Sequence, residues 1–384
     1  MWKLTEHTDW RSLVQKFSWV RDMKGVPQDP LYHAEGDVAV HTRMVLRALE
    51  ELEGWRQLPP QDRQVLWAAA LLHDVEKRST TVREPDGSLT SKGHAKKGAL
   101  TARILLYRDE PAPFFLREQV CALVRYHGLP LWALEKPDPV KAVLEASLQV
   151  NTKLLALLAE ADVRGRVSAD QEELLYKIGL FRLLCEEHGC WGQPRAFATP
   201  NARFWYFHKE DSYPGYVPFD EFRSRVVLLS GLPGAGKDTY AWHHYRDWPV
   251  ISLDDIRREL KISPLDKNGT GKVVQLAKER ARTYLRAGDN FVWNATNITR
   301  SKRQQLMDLF LTYKAFVTLV YVEVPCYRLY VQNSEREAVL PAAAIDRMIE
   351  RLEVPQPQEA HEVVYHVEDF GFGLVSGETK SEVP

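Results

Sequence analysis

Between residues 225 and 325, short β-branched runs alternate with longer segments of helical period. The runs read RVVLLSG, WPVIS, NFVWNA and AFVTLVYVEV. Such a pattern leaves few folds open. Strands that are apolar throughout must be covered on both faces, and helical crossovers make them parallel. An α/β domain with a parallel sheet is expected here. Residues 1 to about 190 instead show helix after helix, which points to an all-α domain. A chain of 384 residues exceeds one typical domain. The expected division is a helical domain over 1–190, a connector over 191–222 and an α/β domain over 223–384. The connector is rich in Pro, Gly and aromatic residues. It is expected to be ordered, either packed on one domain or offering an aromatic shelf to nucleobases.

Composition removes several classes. A hydrophobic share of 45% and a charged share of 27% fit a globular protein. The net charge of −1 gives no global basic field, so any nucleic-acid binding must rest on local patches. Cys121, Cys185, Cys190 and Cys326 form no CxxC pair and suit reduced thiols in a cytoplasmic protein. No apolar run reaches about 18 residues, so no membrane span is expected. The start, MWKLTEHTDW, lacks the apolar core of a signal peptide. The tail beyond Phe372 is polar and expected to be loose.

The first run leads into GLPGAGKDT. Backbone amides must turn inward on phosphate oxygens around Gly231, Gly234, Ala235 and Gly236, and a Cβ on the glycines would obstruct that. Lys237 supplies a point charge to the β and γ phosphates. The helical segment that follows puts those phosphates at a helix N-terminus. Bound ATP or GTP with Mg²⁺ is the expectation. Asp238 stands where such loops place a Ser or Thr hydroxyl on Mg²⁺. It either serves that ion, directly or through water, or turns outward as a first-turn acid while Thr239 takes over.

The second run ends in VISLDDIRREL, which aims carboxylates at the sheet edge where ligands of open α/β folds bind. Asp254 either takes the proton of an attacking hydroxyl or caps the next helix, a role that suits Asp255 better. Arg257 lies on the same helical face and suits an acceptor phosphate. The third run ends in NATNITRSKR. Asn294, Thr296 and Asn297 suit a sugar or phosphodiester there, and Arg300, Lys302 and Arg303 suit either a nucleic-acid strand or a solvated face. Arg336, in VQNSEREAVLP, is expected on a lid helix that brings an arginine over the phosphates.

GLPGAGKDT, LDDIR, NATN and NSER occur in the order and spacing of the phage-type 5′-hydroxyl polynucleotide kinases, and residues 225–355 resemble that family. The resemblance implies Asp254 as general base, Arg257 on a substrate phosphate, and Lys237 and Arg336 on the donor. Ala295 replaces an acidic residue of the family pattern and Gln332 an arginine, though Asn294 could stand in for the acid.

In the helical half, five polar residues sit where the period predicts core. His41 heads Val45, Ala48, Leu49 and Leu52. His73 ends Leu66, Ala69 and Ala70, and His94 opens Gly98, Thr101, Ala102 and Leu105. His127 ends Val120, Leu123 and Val124, and Asp162 ends Leu155, Leu158 and Ala159. All face inward. One inward histidine is ordinarily a satisfied core residue. Four of them with Asp162, and Asp74 beside His73, share one explanation: divalent metal on neutral imidazoles and carboxylates. Adjacent helical residues point about 100° apart, so His73 can serve one ion while Asp74 bridges two.

The order H…HD…H…H…D resembles the HD-domain phosphohydrolases, and YHAEGDVAVHT resembles the opening of that domain in bacterial CCA-adding enzymes. The resemblance covers 30–165. It implies one ion on His41, His73, Asp74 and Asp162, and a second on His94, His127 and Asp74. The imidazole-rich set suits transition ions such as Mn²⁺, Co²⁺, Ni²⁺ or Cu²⁺. Lys77 either holds a phosphate oxygen or is a surface lysine, and His33 and Arg125 are weaker substrate contacts.

The two halves together, in this order, resemble the bacterial HD-phosphohydrolase/polynucleotide-kinase fusions that heal broken RNA ends. That resemblance implies a 2′,3′-cyclic phosphodiesterase and 2′(3′)-phosphatase joined to an NTP-dependent 5′-OH kinase. The implied partners are RNA, with DNA left open, bearing 5′-OH and 2′,3′-cyclic or 2′/3′-phosphate ends, and a separate ligase. Two other classes stay open: a small-molecule nucleoside or nucleotide kinase fused to a nucleotide phosphohydrolase, and a non-catalytic RNA-binding module.

Overall fold

The structure is a computed structural model that describes residues 1–263, 266–335, 339–369 and 373–378. The chain divides into two compact units, Met1–Ala196 and Phe197–Pro384. The boundary falls inside the expected connector. Its first residues go with the helical unit, and the remainder carries a helix that belongs to the α/β unit.

In the first unit the longer helices are α1 (Val38–Glu51), α2 (Pro60–Leu72), α3 (His94–Ile104), α4 (Phe114–Tyr126), α5 (Thr152–Arg164) and α6 (Gln171–Glu187). Their starts follow local chemistry. Asp37 caps α1 by accepting from Val40 N, Asn151 caps α5 through Lys153 N and Leu154 N, and Pro60 opens α2. Helix α2 packs against α1, α4 and α5, and α3 lies against α4. The stripes read from the sequence line these contacts. Val45, Leu49, Leu66, Val120, Leu123, Leu155 and Leu158 are all 0% exposed, each worth about 1.5–3 kcal/mol of burial. A small hairpin of β1 (Val82–Arg83) and β2 (Leu89–Thr90) precedes α3.

The second unit holds β3 (Ser224–Ser230), β4 (Val250–Ser252), β5 (Phe291–Asn294), β6 (Ala315–Glu323), β7 (Glu362–Asp369) and β8 (Gly373–Glu378). The sheet order is β4-β5-β3-β6-β7-β8; all pairs are parallel except β7 with β8. The tail expected to be loose thus supplies a strand. Helix α7 (Pro200–His208) comes from the former connector and sends Phe204 into the core of the α/β unit. Around the sheet lie α8 (Lys237–His244), α9 (Leu253–Leu260), α10 (Lys267–Ala287), α11 (Arg300–Thr312), α12 (Cys326–Ser334) and α13 (Ala342–Ile349). The chain runs from β3 out to β4 and β5, then crosses to β6 on the other side of β3. The strand order reverses at β3, the place where open α/β sheets bind ligands. Among the described residues no single helix is long and apolar enough to cross a membrane. The four cysteines are free and buried.

Candidate metal centre and phosphate-binding cleft

Four imidazoles and two carboxylates converge inside the helical unit. His41, His73, Asp74, His127 and Asp162 are at most 6% exposed, and His94 opens partly to solvent. His73 and His127 are the residues that terminate α2 and α4, so both rings emerge at helix ends rich in carbonyls. Each ring is held from behind. His73 Nδ1 lies 2.7 Å from Ala70 O, His94 Nδ1 2.7 Å from Ser91 O, and His127 Nδ1 2.8 Å from Val124 O. His41 Nδ1 lies 2.8 Å from Glu35 Oε1. Donation to the three carbonyls fixes the Nδ1–H tautomer of His73, His94 and His127 and leaves their Nε2 lone pairs facing inward, while His41 Nδ1 sits in ion-pair range of Glu35.

Those lone pairs meet acceptors, not donors. His41 Nε2 is 3.4 Å from His73 Nε2 and 3.2 Å from Asp162 Oδ1. His94 Nε2 is 3.3 Å from His127 Nε2. Asp74 spans both groups: Oδ2 is 3.3 Å from His73 and 3.6 Å from His41, while Oδ1 is 3.3 Å from His94 and 4.0 Å from His127. Asp74 Oδ1 and Asp162 Oδ1 are buried without a hydrogen bond from any described group. Among the described residues three trios lie within the span of a single ion: His41–His73–Asp162 and Asp74–His94–His127 around Asp74, and His33–Glu35–His41 beside them. Buried acceptors facing buried acceptors are costly unless a cation compensates them. The donor set fits two divalent ions.

Charge around the centre supports that state. Burial opposes ionisation of Asp74, but Lys77 and the histidines outweigh it and hold the carboxyl well below its usual range. Burial likewise opposes ionisation of Asp162; Arg166, at 2.5 Å, and His41 overcome it. Burial, with His94 and His73 beside it, pushes His127 down to about 3, so its ring stays neutral. Burial pulls His41 down, yet Asp162 and Glu35 raise it overall. Lys77 Nζ is 2.8 Å from Asp74 Oδ2 and 2.8 Å from Gln28 Oε1, at the rim of the centre. Arg125 is exposed and stands over the Tyr126 ring. His33 meets the centre through Glu35, at 2.9 Å, and through an edge-on contact with the His41 ring, centroids 4.8 Å apart. Glu35 and Arg166 were not singled out from the sequence. Arg166, four residues after Asp162, carried a readable helical signal; Glu35 sits in a loop and carried none.

In the α/β unit the loop after β3 is built as the sequence requires. Gly231 has φ +153°, and a Cβ there would collide with the carbonyl of Val322 on β6. Gly234 and Gly236 also take positive φ, 81° and 93°. Gly236 leads directly into α8, whose N-terminal amides face the loop. Lys237 Nζ donates to Leu232 O at 2.8 Å. The loop opens on a cleft of about 1400 Å³ that also receives Thr239, Asp254, Arg257, Thr296 and Gln332. Asp254 is exposed, with Arg257 Nη1 at 3.3 Å. The cap of α9 is neither aspartate: Ser252 accepts from Asp255 N. Asp238 lies in the first turn of α8 and accepts from Asn294 Nδ2 at the end of β5.

One expected substrate contact, Arg303, is corrected. Arg303 is 0% exposed; its guanidinium makes two bonds to Glu359, at 2.7 and 2.9 Å, and binds the carbonyls of Asn297 and Glu353. It holds the fold together and is not among the residues that line the cleft. Asn297 lines the cleft, while its side-chain amide donates to Leu229 O at 2.7 Å from a left-handed backbone of φ +44°. Arg336 lies outside the described residues.

Comparison with known proteins agrees with this architecture. Residues 38–166 match the HD-domain family, and residues 226–355 match an AAA-domain family of P-loop, kinase-like type. The chain thus joins a helical HD domain to a P-loop kinase-like domain, a combination that implies a divalent metal in the first and a nucleotide with Mg²⁺ in the second. It is 33% identical over 164 residues to the Multifunctional CCA protein of Thioalkalivibrio sulfidiphilus, a match over 41% of this chain and 37% of that one. It is 32% identical over 171 residues to the Multifunctional CCA protein of Methylococcus capsulatus, over 42% and 37%. The chain therefore spans little more than a third of either relative. A gluconokinase from Sinorhizobium meliloti aligns over 38% of this chain and 84% of its own, with 16% identity and a TM-score of 0.29.

Proposed function

We propose that the protein heals both ends of a broken RNA strand. The HD domain opens a 2′,3′-cyclic phosphate and removes the remaining phosphate, and the kinase-like domain phosphorylates the 5′-OH across the break. The observation that supports this reading is the coexistence, on one chain, of a His/Asp cluster able to hold divalent ions and a phosphate loop whose cleft is lined by Asp254 and Arg257. A ligase must then come from a partner.

In the HD centre, His41, His73 and Asp162 would hold one ion and His94 and His127 the other, with one oxygen of Asp74 on each. When bound, such ions polarise a phosphoryl group and activate water. Lys77, fixed by Asp74 and Gln28, is placed to take a phosphate oxygen. Arg166 pairs with Asp162 Oδ2 and would orient the other carboxylate oxygen toward an ion bound there. Imidazole-dominated ligation favours Mn²⁺, Co²⁺, Ni²⁺ or Cu²⁺ over Mg²⁺.

In the kinase-like domain, Lys237 leaves the Leu232 carbonyl for the donor phosphates. Asp254, exposed in the cleft, accepts the proton of the acceptor hydroxyl, and Arg257 beside it grips a phosphate. The test uses RNA with 5′-OH and 2′,3′-cyclic phosphate ends, radiolabelled ATP, and the variants Asp254→Ala and Asp74→Ala. Asp254→Ala should lose label transfer and keep phosphate release, and Asp74→Ala the reverse. Loss of both activities in either folded variant, or a mononucleoside accepting phosphate as well as the RNA does, would overturn the reading.

A further inference from the structure

One buried donor beside the metal centre has no acceptor. Gln28 is 8% exposed and stands in the loop that leads into α1. The backbone is pinned on both sides of it. Val26 O accepts from Val38 N at 3.0 Å. Asp29 accepts from Leu31 N at 3.0 Å on one oxygen and from Leu89 N of β2 at 3.1 Å on the other.

Gln28 Oε1 accepts from Lys77 Nζ at 2.8 Å. An ammonium only donates, so this bond fixes which head of the amide faces Lys77 and leaves Nε2 as a pure donor. Nε2 is buried and makes no hydrogen bond to any described group. The orphaned oxygens of the centre, Asp74 Oδ1 and Asp162 Oδ1, are acceptors that a cation satisfies. Nε2 is the opposite case: no ion helps it, and only a lone pair brought by a ligand can.

Its place indicates which ligand atom that is. Lys77 Nζ also lies 2.8 Å from Asp74 Oδ2, so the ammonium bridges the ion-binding carboxylate and the Gln28 amide. A phosphoryl group in the centre gives its charged oxygens to the ions and to Lys77. The neutral amide next to Lys77 suits the uncharged oxygen next along the substrate, a sugar hydroxyl beside the phosphate ester.

We propose that Gln28 is a specificity-determining residue of the HD centre, its Nε2 donating to the sugar oxygen vicinal to the phosphorylated one. Lys77, in leaving Oε1 for a phosphate oxygen, clears the face of the amide for that contact. The proposal rests on the phosphohydrolase reading above and adds to it a preference for ribose over deoxyribose at the phosphorylated end. A site built to bond a hydroxyl disfavours the analogue that lacks it.

The experiment compares adenosine 3′-monophosphate with 2′-deoxyadenosine 3′-monophosphate. Phosphate release is followed with Mn²⁺-loaded protein, and affinity is measured by calorimetry with metal-stripped protein. Wild type should favour the ribonucleotide by about two- to tenfold, in KM and in affinity. Gln28→Met keeps the length of the side chain, has no N–H, and should bring both ratios close to one. Lys77→Met should weaken both nucleotides alike and preserve the ratios. Thermal unfolding checks the fold of each variant, and the wild-type ratio tests the proposal even where a variant does not fold. Equal KM or equal affinity for the two nucleotides in wild type overturns the sugar contact. So does a ribose preference that persists in Gln28→Met, including the case where both nucleotides weaken together, which would put Gln28 on the phosphate alone. No phosphate release from either nucleotide, with Mn²⁺ bound, strikes the phosphohydrolase reading itself.

Discussion

Replacing Glu35 by glutamine keeps the shape of a buried side chain and removes its charge. One carboxylate oxygen, Oε1, faces His33 Nδ1 at 2.9 Å and His41 Nδ1 at 2.8 Å, and Oε2 accepts from Val167 N at 2.9 Å. Burial works against the ionised form, but His33 and His41 hold the Glu35 carboxyl well below its usual range. Glutamine cannot satisfy this arrangement in either orientation. With its oxygen toward the rings, the amide NH₂ opposes the Val167 N–H. With the NH₂ toward the rings, both Nδ1 atoms must lose their protons, and His41 Nε2 becomes protonated and useless as a ligand. Loss of such an outer partner should weaken metal affinity about ten- to hundredfold, or ~1.4–2.7 kcal/mol. Calorimetric titration of stripped protein with Mn²⁺ measures this, with thermal unfolding as the check on folding. Wild-type affinity in a normally folded Glu35→Gln protein would refute the claim that Glu35 tunes His41.

Three other perturbations probe different parts of the chain. Arg303→Met leaves Glu359 buried and unpaired and should cost about 3–5 kcal/mol in urea unfolding; a variant as stable as wild type but poorer in RNA affinity would return Arg303 to the substrate site. Asp238→Ala should raise the Mg²⁺ concentration needed for phosphate transfer while Asp238→Ser keeps substantial activity, and an unchanged Mg²⁺ dependence would leave Asp238 as a helix-start residue tied to Asn294. His361 is buried, and burial with His208 and Arg203 nearby pushes it down to about 3 while its Nδ1 accepts from Val317 N at 3.0 Å. Its folded value is depressed, so the unfolded state binds more protons from about 6.5 down to 3, and stability should fall with pH through that window by at most about 1.4 kcal/mol per unit. His361→Phe should remove this slope from the unfolding of the α/β unit; an identical slope would assign the dependence elsewhere.

What the sequence made legible was whatever local periodicity controls. The inward turn of His41, His73, His127 and Asp162 follows from spacing along single helices, and the structure buries all four. The glycines around Gly231 follow from the backbone that a phosphate loop needs. Most of the failures have a partner distant in the chain. Arg303 looked like part of a basic surface because its partner, Glu359, lies 56 residues away. Glu35 has no periodic context, and its anchor, Val167, is 132 residues off. Ser252 was passed over as a cap because two aspartates followed it. Strand β7 went unnoticed because HEVVYHVED mixes polar and apolar residues; it is a strand because six register pairs fix it along β6.

The backing of the histidine rings has a consequence for design. His73, His94 and His127 are each aimed by a carbonyl three residues earlier in the chain. Ring orientation is therefore encoded within stretches such as Ala70–His73 and Val124–His127, independent of the length of any intervening loop. Such a stretch is portable: grafted onto the end of a helix in an unrelated bundle, it brings its own tautomer and presents Nε2 outward along the helix axis. His41 is not portable in this way, because its orienting carboxylate arrives from a separate loop. A grafted copy of this centre would need the Glu35 loop as well, or a substitute acceptor behind the ring.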